Sequence, residues 1–325
     1  MRAVVCKAWG EPKDLVVEEA PPPPMVADGV RIAVRAAGLN FGDTLIIAGK
    51  YQTKPPLPFI PGFEVAGEVV SCADGVDAFR PGDRVLAIVD HGGFAEEVVA
   101  SAKDVFPLPE SVSEVDAAGF AVAYGTSHLG LRYKAALRPE ETVLVHGAAG
   151  GVGLTAVEIA KALGARVLAT AGGAEKLKVA ERYGADALID YRREDIRERV
   201  LELTAGQGVD VVYDPVGGTA FEASLRCTRP GGRILVVGFA SGAVPQIPAN
   251  ILLVKNFTVY GYVWGTYRTL DPAAFAESMR ELLAWVGEGK LRPHVSRTYP
   301  LAEAAAALEA LRTRRSTGKL VLTVA

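Results

Sequence analysis

The stretch Thr142-Val143-Leu144-Val145-His146-Gly147-Ala148-Ala149-Gly150-Gly151-Val152-Gly153 decides the fold of this chain. A short β-branched and apolar run enters a glycine turn, and Leu154-Thr155-Ala156-Val157-Glu158-Ile159-Ala160-Lys161 follows with helical spacing. Strand, turn and helix in that order leave unpaired N–H groups at the positive end of a helix dipole, a geometry that holds a pyrophosphate. Ala149, Gly150, Gly151 and Val152 are the expected contacts. Gly150 lets the backbone approach the phosphates, and Gly153 lets the helix pack closely on the strand. Ala148 stands where the usual G-x-G-x-x-G has its first glycine, so a glycine turn with no ligand is the competing reading.

The next strand identifies the dinucleotide. An NAD site ends it with an acid that holds the ribose 2′-hydroxyl. Here it runs Ala165-Arg166-Val167-Leu168-Ala169-Thr170 into Ala171-Gly172-Gly173, with Lys176 one turn into the following helix. Small residues leave room for a 2′-phosphate and a lysine attracts it, whereas a carboxylate would repel it. Glu175, the nearest acid, lies beyond the strand end. The cofactor expected is NADPH; an ordinary solvated lysine at 176 is the alternative.

Composition narrows the class. A chain of 325 residues, half of them apolar, makes two domains with their own cores. A net charge of -3 gives no general attraction to nucleic acid or anionic membrane. No apolar run reaches the length of a membrane span, and Met1-Arg2-Ala3-Val4-Val5 reads as the start of a strand rather than a signal peptide. Cys6, Cys72 and Cys227 are isolated and odd in number, which suits free thiols in the reducing cytoplasm.

The rhythm changes near residue 120. Before it, strand-like segments at 30–36, 65–71, 84–89 and 95–100 are punctuated by Pro21-Pro22-Pro23-Pro24, Pro55-Pro56, Pro81-Gly82-Asp83 and Gly92-Gly93, the pattern of a β-rich barrel or sandwich. After it, strands at 143–146, 166–170, 187–190, 209–213, 233–238 and 257–263 alternate with helices at 154–163, 175–183, 196–204 and 219–227. That alternation predicts a doubly wound parallel sheet. Beyond Asp271-Pro272, helices are expected at 273–286 and 302–312 and a last strand at 319–324.

Several further motifs point to one family. They are Gly38-Leu39-Asn40-Phe41-Gly42-Asp43-Thr44, Pro61-Gly62-Phe63-Glu64-Val65-Ala66-Gly67, Pro81-Gly82-Asp83-Arg84-Val85 and Gly92-Gly93-Phe94-Ala95-Glu96, together with Gly184-Ala185-Asp186, Asp190-Tyr191, Asp214-Pro215-Val216-Gly217-Gly218 and Thr317-Gly318-Lys319. With these the chain resembles the zinc-free quinone oxidoreductases, zeta-crystallin among them, of the medium-chain dehydrogenase/reductase superfamily. The resemblance implies an α/β protein with a GroES-like β-rich catalytic domain at 1–121 and 267–325 and a Rossmann NADPH-binding domain at 122–266. The positions where alcohol dehydrogenases of that superfamily hold catalytic zinc correspond here to Asn40 and Phe63, with no cysteine near Val122 or Ala123. A phenylalanine offers a metal nothing. His91, His128, His146 and His294 are scattered without ligand spacing, so no metal is expected.

Site roles follow from the same resemblance. It places Asn40 near the nicotinamide, with capping of the turn before Asp43 as the alternative. Tyr51 would line the acceptor pocket, or merely pack. Thr126 would reach the nicotinamide ribose or carboxamide, or cap a helix. Gly217, Gly238 and Phe239 would meet the nicotinamide half, and Gly172, Lys176, Tyr191 and Arg314, or its neighbour Arg315, the 2′-phosphate. The expected reaction is metal-free hydride transfer from NADPH to a quinone. The alternatives are reduction of α,β-unsaturated carbonyls or enoyl thioesters, and an NADPH-binding protein with a structural or RNA-contacting role. The partner expected is a small quinone or conjugated carbonyl, with neither nucleic acid nor membrane. A homodimer is also expected, paired through the edge segment Phe257-Thr258-Val259-Tyr260-Gly261-Tyr262.

Overall fold

The computed structural model describes residues 1–324; residue 325, the last of the expected GroES-like segment, lies outside them. Two compact units result, Met1–Val122 with Val286–Ala325, and Ala123–Trp285.

The second unit is built on six parallel strands, Thr142–Val145, Arg166–Ala171, Ala187–Asp190, Val209–Asp214, Thr228–Val236 and Thr258–Gly261. Numbered along the chain, they lie across the sheet in the order 3-2-1-4-5-6. Strands buried on both faces need apolar side chains at nearly every position. Leu144, Leu168, Ile189, Val212 and Ile234, one from each of five strands, are fully excluded from solvent. The order reverses between the first and fourth strands, which sets their C-terminal loops side by side. The His146 N–H donates to the Tyr213 carbonyl at 3.1 Å. A β-carbon added at Gly147 would stand 3.3 Å from the Val216 side chain. Crevices of this kind are where doubly wound sheets bind ligands.

The first unit carries the expected β-rich architecture. Val295–Pro300, Lys319–Thr323, Gly29–Gly38, Glu64–Cys72, Arg84–Ile88 and Val105–Pro107 follow one another across a sheet, and Glu97–Ser101 also pairs with Gly29–Gly38. All pairs are antiparallel except Val295–Pro300 with Lys319–Thr323, so the chain's last strand is woven into a sheet begun by its first hundred residues. Along Gly29–Gly38, Val30, Ile32 and Val34 turn inward and Arg35 outward.

One expected boundary moves. Residues 267–285 belong to the second unit rather than the first. Asp271-Pro272 starts the helix expected there: Asp271 Oδ1 accepts from the Ala274 N–H at 3.0 Å and Pro272 opens the helix Pro272–Gly287. That helix packs on the second unit through Phe275, whose ring lies 5.1 Å from Trp264. Ser278 Oγ lies 2.8 Å from His128 Nδ1, and Trp285 packs edge-on to His128. The expected strand 257–263 is likewise shorter, Thr258–Gly261, because the chain turns into Trp264–Thr266.

The two glycines of the phosphate turn separate cleanly. A β-carbon at Gly153 would overlap the Gly147 carbonyl, whereas at Gly150 it would meet only that oxygen, at 3.3 Å. Gly153→Ala should therefore cost about 1–3 kcal/mol of stability by overpacking. Gly150→Ala, at a φ of -84°, should leave the thermal midpoint near that of the unmodified chain. Differential scanning calorimetry of both variants checks this.

Candidate active site

In the second unit, Gly147 takes a left-handed φ of +58°, so the turn that a glycine at 148 would provide falls one residue earlier. Ala148 is then free to be buried, its N–H bonded to the Thr170 carbonyl at 2.9 Å. Gly150 caps the helix Gly151–Ala162, and the Gly151 and Val152 N–H groups in its first turn have no intrahelical acceptor. His146 sits beneath, fully buried between Thr170 Oγ1 at 3.0 Å and Ser224 Oγ at 2.8 Å. Burial lowers its pKa, so the imidazole is neutral and structural.

The fourth-strand loop is shaped by Asp214, whose Oδ1 accepts from the N–H groups of Val216 at 2.8 Å and Gly217 at 3.0 Å. The Val237 N–H donates to the Asp214 carbonyl at 2.9 Å and the Ala240 N–H to that of Pro215 at 3.0 Å. Gly238 and Phe239 are thereby held against the Gly217 turn. The structure thus gathers Ala149, Gly150, Gly217, Gly238 and Phe239 onto adjoining loops, with Gly151 and Val152 in the first turn of the helix that follows. Thr126 is buried inside the helix Ala121–His128, which removes the capping alternative for it.

At the end of the second strand, a β-carbon at Gly172 would stand 2.7 Å from the Tyr191 hydroxyl and 2.9 Å from Arg192 Nε. Only glycine lets these two side chains lie this close to the backbone. Lys176 is half-buried in the first turn of the helix Ala174–Arg182. Glu175 points to solvent, paired with Lys178 at 3.0 Å. Asp190 is turned back onto the backbone, accepting from the Gly173 N–H at 3.0 Å and the Arg192 N–H at 3.1 Å. Arg192, which the sequence reading passed over, is exposed, and its guanidinium has no ion pair among the described residues. Its only signal in the sequence was its place beside Tyr191. Arg314 lies in the first unit, in a left-handed conformation with φ +56°. Arg315 Nε is engaged by Thr313 Oγ1 at 3.0 Å.

The first unit holds Asn40 and Tyr51. Asn40 precedes the helix Phe41–Ile47, and its N–H donates to Asp43 Oδ2 at 2.7 Å. Its side chain is held between two ionic neighbours. Asn40 Nδ2 donates to Glu64 Oε1 at 2.9 Å, and Lys319 Nζ donates to Asn40 Oδ1 at 2.6 Å. Lys319 also donates to Glu64 Oε1 at 2.8 Å and to the Leu39 carbonyl at 2.7 Å. Glu64 is 1% exposed and Lys319 6%. Tyr51 packs its ring 5.5 Å from Phe63 across the space that Gly42 leaves open. Burial, and then the charge of Asp43, raise the Tyr51 pKa. Its hydroxyl has no hydrogen-bond partner among the described residues. Asp43 itself is buried, and desolvation pushes its pKa up to about 7 against the pull of the Asn40 N–H, Lys319 and the Gly62 N–H.

No group of three or more His, Cys, Asp or Glu side chains among the described residues could hold a metal. The carboxylate bonded to the Asn40 side chain, that of Glu64, already carries the Lys319 ammonium, and Phe63 is no ligand. These residues do not fit a catalytic zinc.

Residues 26–110 match the family described as alcohol dehydrogenase GroES-like domain, and residues 151–285 the one described as zinc-binding dehydrogenase. A quinone oxidoreductase-like protein 2 homolog of Nematostella vectensis is 44% identical over 99% of this chain and 88% of its own. The chain belongs to the quinone oxidoreductases of the medium-chain dehydrogenase/reductase superfamily. Among solved structures, the quinone oxidoreductase of Escherichia coli, complexed with NADPH, is 34% identical, covers 99% of this chain and 100% of its own, and superposes with a TM-score of 0.94. An NAD-dependent alcohol dehydrogenase is also 34% identical, over the whole of both chains, with a TM-score of 0.92. Membership of this quinone oxidoreductase family makes the chain an oxidoreductase; the choice of acceptor rests on the site.

The elevated Asp43 pKa gives a signed pH dependence. Protonation favours the folded state, so the stabilisation is full below the ordinary carboxylate range and is lost as pH rises through about 7. The thermal midpoint of the unmodified chain, measured against Asp43→Asn, should fall between pH 5 and pH 8. The slope should be no steeper than about 1.4 kcal/mol per pH unit. A difference independent of pH would show that Asp43 does not titrate in this range.

Proposed function

We propose that this quinone oxidoreductase-family chain is a zinc-independent, NADPH-dependent reductase of quinones. The observation that carries the reading is the end of the second strand: Tyr191 and Arg192 lie against Gly172, Lys176 stands in the first turn of the next helix, Glu175 is paired with Lys178, and Asp190 accepts from the backbone N–H groups of Gly173 and Arg192. A 2′-phosphate carries close to two negative charges, and guanidinium and ammonium groups here meet it, whereas an NAD site needs an acid in this place. The E. coli relative's bound NADPH supports the same reading. The Gly151 and Val152 N–H groups take the pyrophosphate, and the Gly217, Gly238 and Phe239 turns flank the nicotinamide half. Within the second unit, Lys176, Tyr191 and Arg192 are assigned to the 2′-phosphate.

Bound NADPH supplies a hydride. Without a Lewis acid, the acceptor must be electrophilic in its own right, as a quinone is: its conjugated carbonyls draw in the charge, and uptake of a proton gives the hydroquinone. Asn40 and Tyr51 orient the acceptor. Tyr51, held protonated by its burial, donates its hydroxyl hydrogen to a carbonyl oxygen. The Tyr51 and Phe63 rings present an apolar wall suited to a flat aromatic acceptor. Three free cysteines suit work in the reducing cytoplasm, and no helix is long and apolar enough to cross a membrane.

Initial rates of NADPH oxidation against quinones, enals and enoyl thioesters test the reading. Turnover of quinones that survives exhaustive chelation is expected, and turnover confined to enals or thioesters would overturn the quinone assignment. Lys176→Ala combined with Arg192→Ala should raise KM for NADPH at least tenfold, about 1.4 kcal/mol, while leaving KM for NADH within about twofold.

The same reading includes a homodimer. Thr258–Gly261 is the edge strand of its sheet, with one side unpaired, and Leu253 and Val254 on the preceding helix are each 78% exposed. An open edge beside large exposed apolar side chains calls for cover, and a second copy of this edge supplies it. At micromolar concentration, sedimentation should give twice the chain mass of 34.2 kDa, and Leu253→Glu with Val254→Glu should reduce it to a monomer.

A further inference from the structure

The side-chain amide of Asn40 is nearly symmetric in shape, so packing alone does not choose which end is oxygen and which nitrogen. Its two neighbours do choose. Glu64 only accepts hydrogen bonds and lies 2.9 Å from Nδ2; Lys319 only donates and lies 2.6 Å from Oδ1. Flipping the amide would set donor against donor and acceptor against acceptor, in a place where neither charge can turn to water. Both charges are otherwise spent. The three ammonium hydrogens of Lys319 go to Leu39 O, Asn40 Oδ1 and Glu64 Oε1. Glu64 Oε2 accepts from the Val122 N–H at 2.9 Å. No ammonium hydrogen of Lys319 is left over for a substrate.

The pair is also held from outside. Glu64 opens the strand Glu64–Cys72 opposite Gly38, and a β-carbon at Gly38 would crowd the Glu64 carboxylate, standing 2.8 Å from Oε1. Lys319 opens the last strand, its N–H bonded to the His294 carbonyl at 2.8 Å. The preceding Gly318 has φ +52°, and any β-carbon there would strike that same carbonyl. The approach of Lys319 is therefore set by backbone constraint as well as by charge.

We propose that Lys319 and Glu64 are positioning residues that fix the orientation of the Asn40 amide, and so decide which face of it donates and which accepts toward the acceptor. This rests on the reading of Asn40 as an acceptor-site residue. A pair that only held the fold together would act independently of Asn40; a clamp acts through it.

A double-mutant cycle separates the two. Lys319→Met with Glu64→Gln removes both charges at once, so no buried charge is left unpaired, and a glutamine at 64 tolerates either amide orientation. With saturating NADPH and a quinone acceptor, this pair should lower kcat about tenfold or more, as misorientation of a site group does, with Kd for NADPH unchanged. In the Asn40→Ala background the same two changes should lower kcat less than about twofold, the non-additivity expected of residues acting through one group. Equal losses in both backgrounds would overturn the clamp while leaving the acceptor-site reading intact. If Asn40→Ala alone leaves kcat unchanged, both the acceptor-site reading of Asn40 and the clamp fall, and NADPH-dependent turnover stands apart from them. Should the paired variant not fold, Glu64→Gln alone, which keeps size and the Lys319 contact, carries the same cycle: loss in the Asn40 background only, or equal loss in both.

Discussion

The reversal of strand order between the first and fourth strands of the parallel sheet is the constraint on which the cofactor crevice depends. It sets their C-terminal loops side by side, and doubly wound sheets bind ligands in the crevice there. Everything local then serves that crevice. Gly147 turns the first loop sharply and Gly153 lets the helix lie against its carbonyl. Asp214 folds the fourth loop by taking two N–H groups on one oxygen. A larger residue at either glycine would close the crevice or push the helix from the sheet, and the amides of Gly151 and Val152 would lose their direction.

The first unit rests on a different bargain. Burying Lys319 with Glu64 removes two charges from water, and an apolar pair of similar volume would be as stable or more so. Breaking the pair, by contrast, strands a buried charge. Such a pair contributes little net stability but fixes direction: it joins the chain's last strand to the strand Glu64–Cys72 and to the residue that starts the helix Phe41–Ile47. The sheet's apolar interior, with Val30, Ile32, Val34 and Leu322, supplies the stability that this arrangement does not.

How much of this the sequence makes legible follows the range of the interactions. The glycine turn, the strand-to-helix rhythm and the missing acid after Ala171 are local patterns, and the parallel sheet follows from them. Arg192 escaped because its relation to Gly172 depends on two neighbouring parallel strands ending level, a register that periodicity does not report. Lys319 and Glu64 are 255 positions apart, and Lys319 and Asn40 279. Each motif was visible alone, but their meeting was not. The boundary at 267 differs for a related reason: the helix after Asp271-Pro272 is legible locally, but the unit it joins is set by the distant packing of Phe275, Ser278 and Trp285.

The charge balance around Asn40 bears on the chemistry proposed. One ammonium and two ionised carboxylates would leave that wall with a net charge of -1, facing an acceptor that gains electrons. Opposing that charge in a poorly hydrated site would raise the barrier to hydride arrival. Asp43, held protonated up to about pH 7, removes one of the two negative charges, and Lys319 cancels the other. In a metal-dependent dehydrogenase, the ion itself supplies the positive charge on which developing anions are stabilised. Around Asn40 the described residues offer no metal such a set of ligands, and the local charge is instead balanced by a lysine drawn from the last strand and a carboxyl kept neutral by its burial. A wall of that kind neither polarises an alcohol nor repels a quinone, which is the physical ground on which the proposed acceptor rests.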